Sequence, residues 1–216
     1  MIRLISFEGG DGSGKTTQIK LLEAYLSARG QACLPTREPG GTPLGRMIRQ
    51  ALLEVGEKEI SPPTELFLYL ADRAQHVQEV IHPALKNGRI VLCDRFTDST
   101  LAYQGYGRRV DLDMLRRLNQ VASRGITPDL TFLLDCPVEI GLSRTAQRVA
   151  SERSARRRED RFEREKIEFH ERVRRCFLEL ARAEPARIHV VDASRPIQEV
   201  QDEIRKIVDA KLEGSQ

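Results

Sequence analysis

No apolar run in the 216 residues approaches the roughly 20 that a bilayer-spanning helix needs, so no membrane partner is expected. Cysteine is scarce and scattered: Cys33, Cys93, Cys136 and Cys176 lie far apart, with no C-x-x-C and no histidine at ligand spacing. That argues against a disulfide framework or a zinc site and points to buried free thiols in a reducing cytosol. Met1 to Phe7 runs directly into glycine and aspartate and lacks the long apolar region of a signal peptide, so the expected location is the cytoplasm. The net charge of +3 is too small to argue for a nucleic-acid partner. No internal repeat, low-complexity linker or second core is visible, and the length suits one domain over residues 1–216.

What is present has a rhythm of short apolar runs, turns and amphipathic stretches. Leu4 to Phe7, Ala32 to Pro35, Ile90 to Cys93, Leu130 to Leu134 and Ile188 to Val191 read as strands covered on both faces. Between them, Lys15 to Arg29 has helical spacing at Ile19, Leu22 and Leu26 and stops at Gly30. Ser61-Pro62 is a cap pair opening a long helix toward Leu85, closed by Asn87-Gly88. Pro196 starts a last helix with Ile197, Val200, Ile204 and Val208 as its apolar stripe. This alternation predicts an α/β fold, a five-stranded parallel sheet flanked by helices.

Arginine crowds one region, standing at 144, 148, 153, 156, 157, 158, 161 and 164. A solvated helix face and a nucleic-acid patch both account for part of it. The adjacent charges of Arg156-Arg157-Arg158 are better matched by an arginine-bearing lid over phosphates, spanning about 148–161.

Gly9-Gly10-Asp11-Gly12-Ser13-Gly14-Lys15-Thr16 follows a predicted strand and opens a predicted helix, the context of a phosphate-binding P-loop. Its glycines let backbone N–H groups surround phosphate oxygens, Lys15 reaches the β- and γ-phosphates, and the Thr16 hydroxyl suits Mg²⁺. Asp94 ends a buried strand at the edge where α/β sheets bind ligands, and is the preferred acidic partner for the metal because Arg95 follows it. Asp135 competes on pattern alone, and Arg95 also reads as half of a structural ion pair. Phosphoryl transfer needs several cations, and Lys15, Arg37, Arg95 and the arginine-rich segment supply them. No Asn-Lys-x-Asp base-reading loop of a GTPase is present, nor the signature loop of an ABC-type ATPase.

Phe7-Glu8-Gly9 through Thr17, Thr36-Arg37-Glu38-Pro39-Gly40-Gly41-Thr42, Asp94-Arg95-Phe96, Ser99-Thr100-Leu101-Ala102-Tyr103-Gln104-Gly105 and Pro128-Asp129-Leu130 together resemble the bacterial thymidylate kinases over nearly the whole chain. The resemblance implies a P-loop nucleoside monophosphate kinase fold, a homodimer, and transfer of the ATP γ-phosphate to dTMP with Mg²⁺, giving dTDP and ADP. It implies that Gly9 to Thr17 hold ATP, and that Asp11 accepts a hydrogen bond from the acceptor 3′-hydroxyl. Arg95, Arg37 and the Glu38 loop would hold the dTMP phosphate. Tyr69, at a position commonly Phe, would stack on thymine while Arg73 bonds its polar edge. Thr100 would read the pyrimidine edge, with Ser99 among the substrate-binding residues, and Tyr103, with Gln104 beside it, would crowd the 2′ position. Gly12 and Ser13 leave no basic residue inside the loop, which implies a catalytic arginine from the lid, Arg153 or one of Arg156 to Arg158. Arg144 and the loop Ala193-Ser194-Arg195 are candidates for adenine contacts.

Read from pattern alone, the same residues keep plainer roles. Tyr69 and Phe67 read as core, Arg73 as a surface partner of Asp72 or Glu65, and Ser99 and Thr100 as helix caps. The competing functions are a kinase for another deoxynucleotide or deoxynucleoside, and a P-loop binding protein that transfers nothing.

Overall fold

The structure is a computed structural model that describes residues 2–53, 60–151, 162 and 165–213. Strands β1 (Leu4–Glu8), β2 (Cys33–Arg37), β3 (Ile90–Asp94), β4 (Leu130–Asp135) and β5 (Ile188–Asp192) form one sheet in the order β2-β3-β1-β4-β5. Every pairing is parallel, with Phe7 opposite Asp94 and Phe132. All five residues of β1 are buried, whereas the edge strands β2 and β5 alternate with exposed positions. The edge also tolerates Pro35, which has no N–H for a ladder bond.

Alternation along the strands makes two cores. Ile5, Phe7, Leu92, Phe132 and Leu134 face helices α1 (Lys15–Ala28) and α9 (Ile197–Glu213), meeting Ile19, Leu22, Leu26, Val200, Ile204 and Val208. Leu133 faces the opposite side, among residues of α3 (Pro62–His76), α6 (Leu112–Ala122) and α8 (Ile167–Ala183). Leu4, Val91 and Cys93 pack there against Val77, Ile81 and Phe96. The four cysteines are free and buried, as expected.

Three expectations need correction. The helix opened by Ser61 does not run unbroken to Leu85: after α3 comes a π-helical segment Val77–Ile81, then α4 (His82–Lys86). Pro83 supplies the reason, since it lacks an N–H and its ring crowds the carbonyl four residues back, which widens the preceding turn. Phe67, read as core, is 61% exposed, because the inward face of α3 belongs to Leu66, Leu70 and Arg73. Ile197 is 59% exposed at the first turn of α9, so that helix's buried stripe begins at Val200. Helix α2 (Pro43–Leu53) precedes α3, and α7 (Val138–Ser151) follows β4. The chain between β3 and α6 forms α5 (Thr97–Thr100) and a π-helical segment Leu101–Gly107.

Candidate active site

The carboxyl ends of β1, β3 and β4 converge at one edge of the sheet, where the strand order reverses around β1. From β1 the chain enters the Gly-rich loop. Gly9, Gly12 and Gly14 have φ of 130°, 73° and 92°, a region that L-residues with a Cβ avoid. A Cβ on Gly12 would fall on the Gly141 carbonyl, so both conformation and space demand glycine there. The loop ends at the start of α1, whose first N–H groups point back into it. Lys15 Nζ donates to Gly9 O at 3.1 Å, Gly10 O at 2.8 Å and Ser13 Oγ at 3.3 Å. Burial, and next the Arg95 charge, bring the Lys15 ammonium down to about 8.

Thr16 Oγ1 donates to Asp94 Oδ2 at 2.7 Å, so a hydroxyl and a carboxylate suited to a hard cation sit together at the loop's exit. Asp135 is engaged elsewhere: Arg174 grips it with two bonds of 2.8 and 3.0 Å. Thr16 and Asp94 therefore fit Mg²⁺, and Asp135 does not.

Arg95, at φ 70°, sends its guanidinium back over the loop. Nη2 donates to Asp11 Oδ1 at 2.6 Å and Tyr103 Oη at 3.0 Å, while Nη1 reaches Gly9 O at 3.1 Å and Ser99 Oγ at 3.3 Å. Its carbon lies 4.8 Å from the Tyr103 ring centroid, a cation–π contact. Tyr103 Oη closes the triangle by donating to Asp11 Oδ2 at 3.3 Å. Burial alone would raise the Asp11 carboxyl, but Arg95 and then Lys15 hold it below its ordinary value. Burial raises the Tyr103 phenol far above its usual range, so it stays protonated. The ion-pair reading of Arg95 holds, and the pair itself lines a cleft.

That cleft is walled by Asp11, Glu38, Pro39, Arg49, Leu53, Tyr69, Arg73, Arg95, Ser99, Thr100, Tyr103, Gln104 and Phe162. Tyr69 is half-buried against the second core, with its ring centroid 6.4 Å from that of Phe162. The surface reading of Arg73 is overturned, since it is 2% exposed. Its Nε donates to Glu38 Oε2 at 2.8 Å, Nη1 to Thr100 Oγ1 at 2.8 Å and Asn119 Oδ1 at 2.6 Å, and Nη2 to Phe96 O at 2.9 Å. Among the described residues, four of its five N–H donors thus have acceptors, leaving one on Nη2. Thr100 and Ser99 are equally misread as caps. Thr100 accepts from Arg73, and Ser99 Oγ donates to Glu8 Oε2 at 2.5 Å.

Glu38 also meets His76 Nδ1 at 3.0 Å, and His76 Nε2 lies 2.6 Å from Thr36 Oγ1. Its carboxylate therefore serves Arg73 and His76 rather than an anion in the cleft. The neighbouring Asp72 accepts from Gly40 N at 3.0 Å with one oxygen, and its other oxygen has no partner among the described residues. Burial, then the Glu38 charge, push the Asp72 carboxyl up to about 6. Gln104 Nε2 donates to Glu65 Oε1 at 2.8 Å, and Arg108 pairs with Glu65 at 3.2 Å.

Arg37 ends β2 opposite Asp94 and is exposed, outside the cleft's wall. Arg144 Nη1 donates to Ala193 O at 2.8 Å, which joins α7 to the loop after β5. Arg153, Arg156, Arg157, Arg158 and Arg161 lie outside the described residues. Sequence reading missed Arg49, Asn119, His76 and the Asp72 contact. Asn119 carried a visible signal, a polar residue interrupting the apolar positions Leu115, Leu118 and Ala122; the others depend on long-range packing.

A family model described as thymidylate kinase matches residues 7–204. The chain is 53% identical over 210 residues to the thymidylate kinase of Desulfovibrio desulfuricans, covering 96% of this chain and 95% of the relative. It is 56% identical over 190 residues to that of Geobacter sulfurreducens, covering 88% of each. The crystal structure of thymidylate kinase from Ehrlichia chaffeensis superposes with a TM-score of 0.75 at 34% identity, over 95% of this chain and 98% of that one. With the P-loop, the Arg95–Asp11 pair and the cleft beside them in place, the chain belongs to the thymidylate kinase family.

Proposed function

We propose that this chain transfers the γ-phosphate of ATP to dTMP, giving dTDP and ADP. The observation that carries the reading is Arg95, which joins the P-loop to the cleft by bonding Asp11, Gly9 O and Tyr103 at once. A donor on the Gly9 to Thr17 loop and an acceptor phosphate at Arg95 then share one polar junction. An acceptor oxygen attacks the γ-phosphorus, the bond to the β-phosphate oxygen breaks, and ADP leaves with the electron pair. Lys15 faces the transferring phosphates, Arg95 orients the acceptor phosphate, and Asp11 accepts from the acceptor 3′-hydroxyl. Tyr103, with Gln104 beside it, crowds the 2′ position. Tyr69 stacks on the base, while Thr100 and the remaining Arg73 N–H meet its polar edge. Ser99 holds Arg95, Glu38 holds Arg73, and Arg37 adds positive charge outside the cleft. Thr16 and Asp94 would hold Mg²⁺, which supplies neutralisation of phosphate charge when bound.

In this reading the chain works as one domain in the cytoplasm. Segment 148–161 is the lid, with Arg153 or one of Arg156 to Arg158 as its catalytic cation. A second copy would pair through Met47, Phe67 and Val121, exposed apolar residues on α2, α3 and α6. Helix α3 packs against both α2 and α6.

A coupled assay of ADP formation tests the function, using ATP with dTMP, dCMP, dUMP or thymidine as acceptor, with and without Mg²⁺. ADP release that depends on dTMP and Mg²⁺ is expected. Preference for dCMP or a nucleoside, or acceptor-independent release alone, would refute it.

A further inference from the structure

Glu8 is the last residue of β1, is 1% exposed, and has no part in the phosphate loop that follows it. Its carboxylate reaches across to the chain after β3. Oε1 accepts from Phe96 N at 2.7 Å, and Oε2 accepts from Ser99 Oγ at 2.5 Å. Between these anchors and the strand stands Arg95, in a left-handed conformation that a residue with a Cβ keeps only when its surroundings hold it. The same turn is fastened on its other side by Arg95 N donating to Phe7 O at 3.0 Å. Ser99 is shared: its hydroxyl donates to Glu8 and accepts from Arg95 Nη1 at 3.3 Å. The carboxylate thus touches the backbone just after Arg95 and a side chain that touches the guanidinium itself.

We propose that Glu8 is a positioning residue for phosphoryl transfer, clamping the Arg95 turn so that the guanidinium meets Asp11 and the acceptor phosphate. The inference rests on the proposed dTMP kinase reading and adds to it the residue that sets the orienting cation. Burial, with Asp98 nearby, pushes the Glu8 carboxyl up to about 7, whereas Ser99, Arg95 and the Phe96 N–H pull it down. A purely structural filler at a site that costly to charge would be better served by an apolar side chain. The two directed hydrogen bonds are what an apolar side chain would lose.

The experiment is a double-mutant cycle on the full chain with Glu8→Gln, Arg95→Ala and the pair. Wild-type turnover of dTMP is measured first; its absence refutes the functional reading, and the inference falls with it. Given turnover, Glu8→Gln is expected to lower kcat/KM for dTMP by about tenfold or more, with KM for ATP changed less than about twofold. In the Arg95→Ala background the same change is expected to cost less than about twofold further. Near-wild-type kcat/KM in Glu8→Gln, a comparable rise in KM for ATP, or the full loss repeated without Arg95 would each overturn the proposal. Should Glu8→Gln not fold, Glu8→Asp, which keeps the charge and shortens the reach, goes through the same cycle with the same criteria.

Discussion

Arg73 Nε donates to Glu38 Oε2 at 2.8 Å, and the two side chains are 2% and 3% exposed. Their partnership is what lets a guanidinium stand in the wall of the cleft without solvent. Replacing Arg73 by alanine leaves the Glu38 carboxylate buried and short of a cation, so the loss is expected to be about 3–5 kcal/mol of folding stability in urea unfolding. Catalysis should suffer on one side only. KM for dTMP rises at least about tenfold while KM for ATP stays near its wild-type value, because Arg73 lies in the acceptor cleft.

Lys15 titrates where an assay can follow it. Its ammonium is brought down to about 8, so the free enzyme loses that charge as pH rises through about 8. The profile of kcat/KM for ATP, which reports the free enzyme, is expected to fall above that pH. Lys15→Ala should flatten this limb and lower kcat by about 100-fold or more, as removal of a charge-stabilising donor does.

Asp72 makes a stability prediction. Its folded-state value of about 6 lies above the ordinary 3.8, so the folded chain keeps a proton that the unfolded chain releases. Stability from this group is therefore fully present below about pH 4 and lost as pH rises to about 6. Asp72→Asn removes that loss. The difference in Tm, variant minus wild type, is expected to grow more positive between pH 4.5 and pH 7 (about one unit beyond the titration). A pH-independent difference would count against it.

Gly12→Ala tests the P-loop. The added methyl meets the Gly141 carbonyl at a backbone φ of 73°. Loss of about 1–3 kcal/mol of stability is expected, with a rise in KM for ATP, because the loop must shift to accommodate the methyl. Thermal unfolding and ATP kinetics measured together would show it.

The lid assignment is tested by single Arg→Ala changes at 148, 153, 156, 157 and 158. At least one is expected to lower kcat by about tenfold or more, equal to roughly 1.4 kcal/mol of transition-state stabilisation. If all five retain wild-type kcat, the catalytic cation comes from elsewhere.

Local chemistry made much of this protein readable from its residues alone. The strands were legible because buried parallel strands are short apolar runs, and each observed strand overlaps its predicted run within one or two residues at either end. The P-loop was legible because phosphate binding by backbone demands glycine at fixed offsets, and Ser61 capping Thr64 N was legible for a similar local reason. Other features turned on contacts between distant segments. Arg73 read as a surface ion pair because its neighbours in sequence are acidic, yet its partners Glu38, Phe96, Thr100 and Asn119 come from three distant segments of the chain. Phe67 read as core because aromatic residues usually are, but the helix face it occupies points away from the sheet.

The sequence by itself determined the phosphate cradle and the parallel sheet that presents it, since both follow from periodicity and from backbone freedom at glycine. Tertiary structure decided which carboxylate partners Thr16, because only packing shows Asp135 taken by Arg174 and Asp94 left at the loop. It also decided what Glu8 does. A side chain's role there is set by the donors brought within about 3 Å of it, and those donors lie roughly 90 residues along the chain.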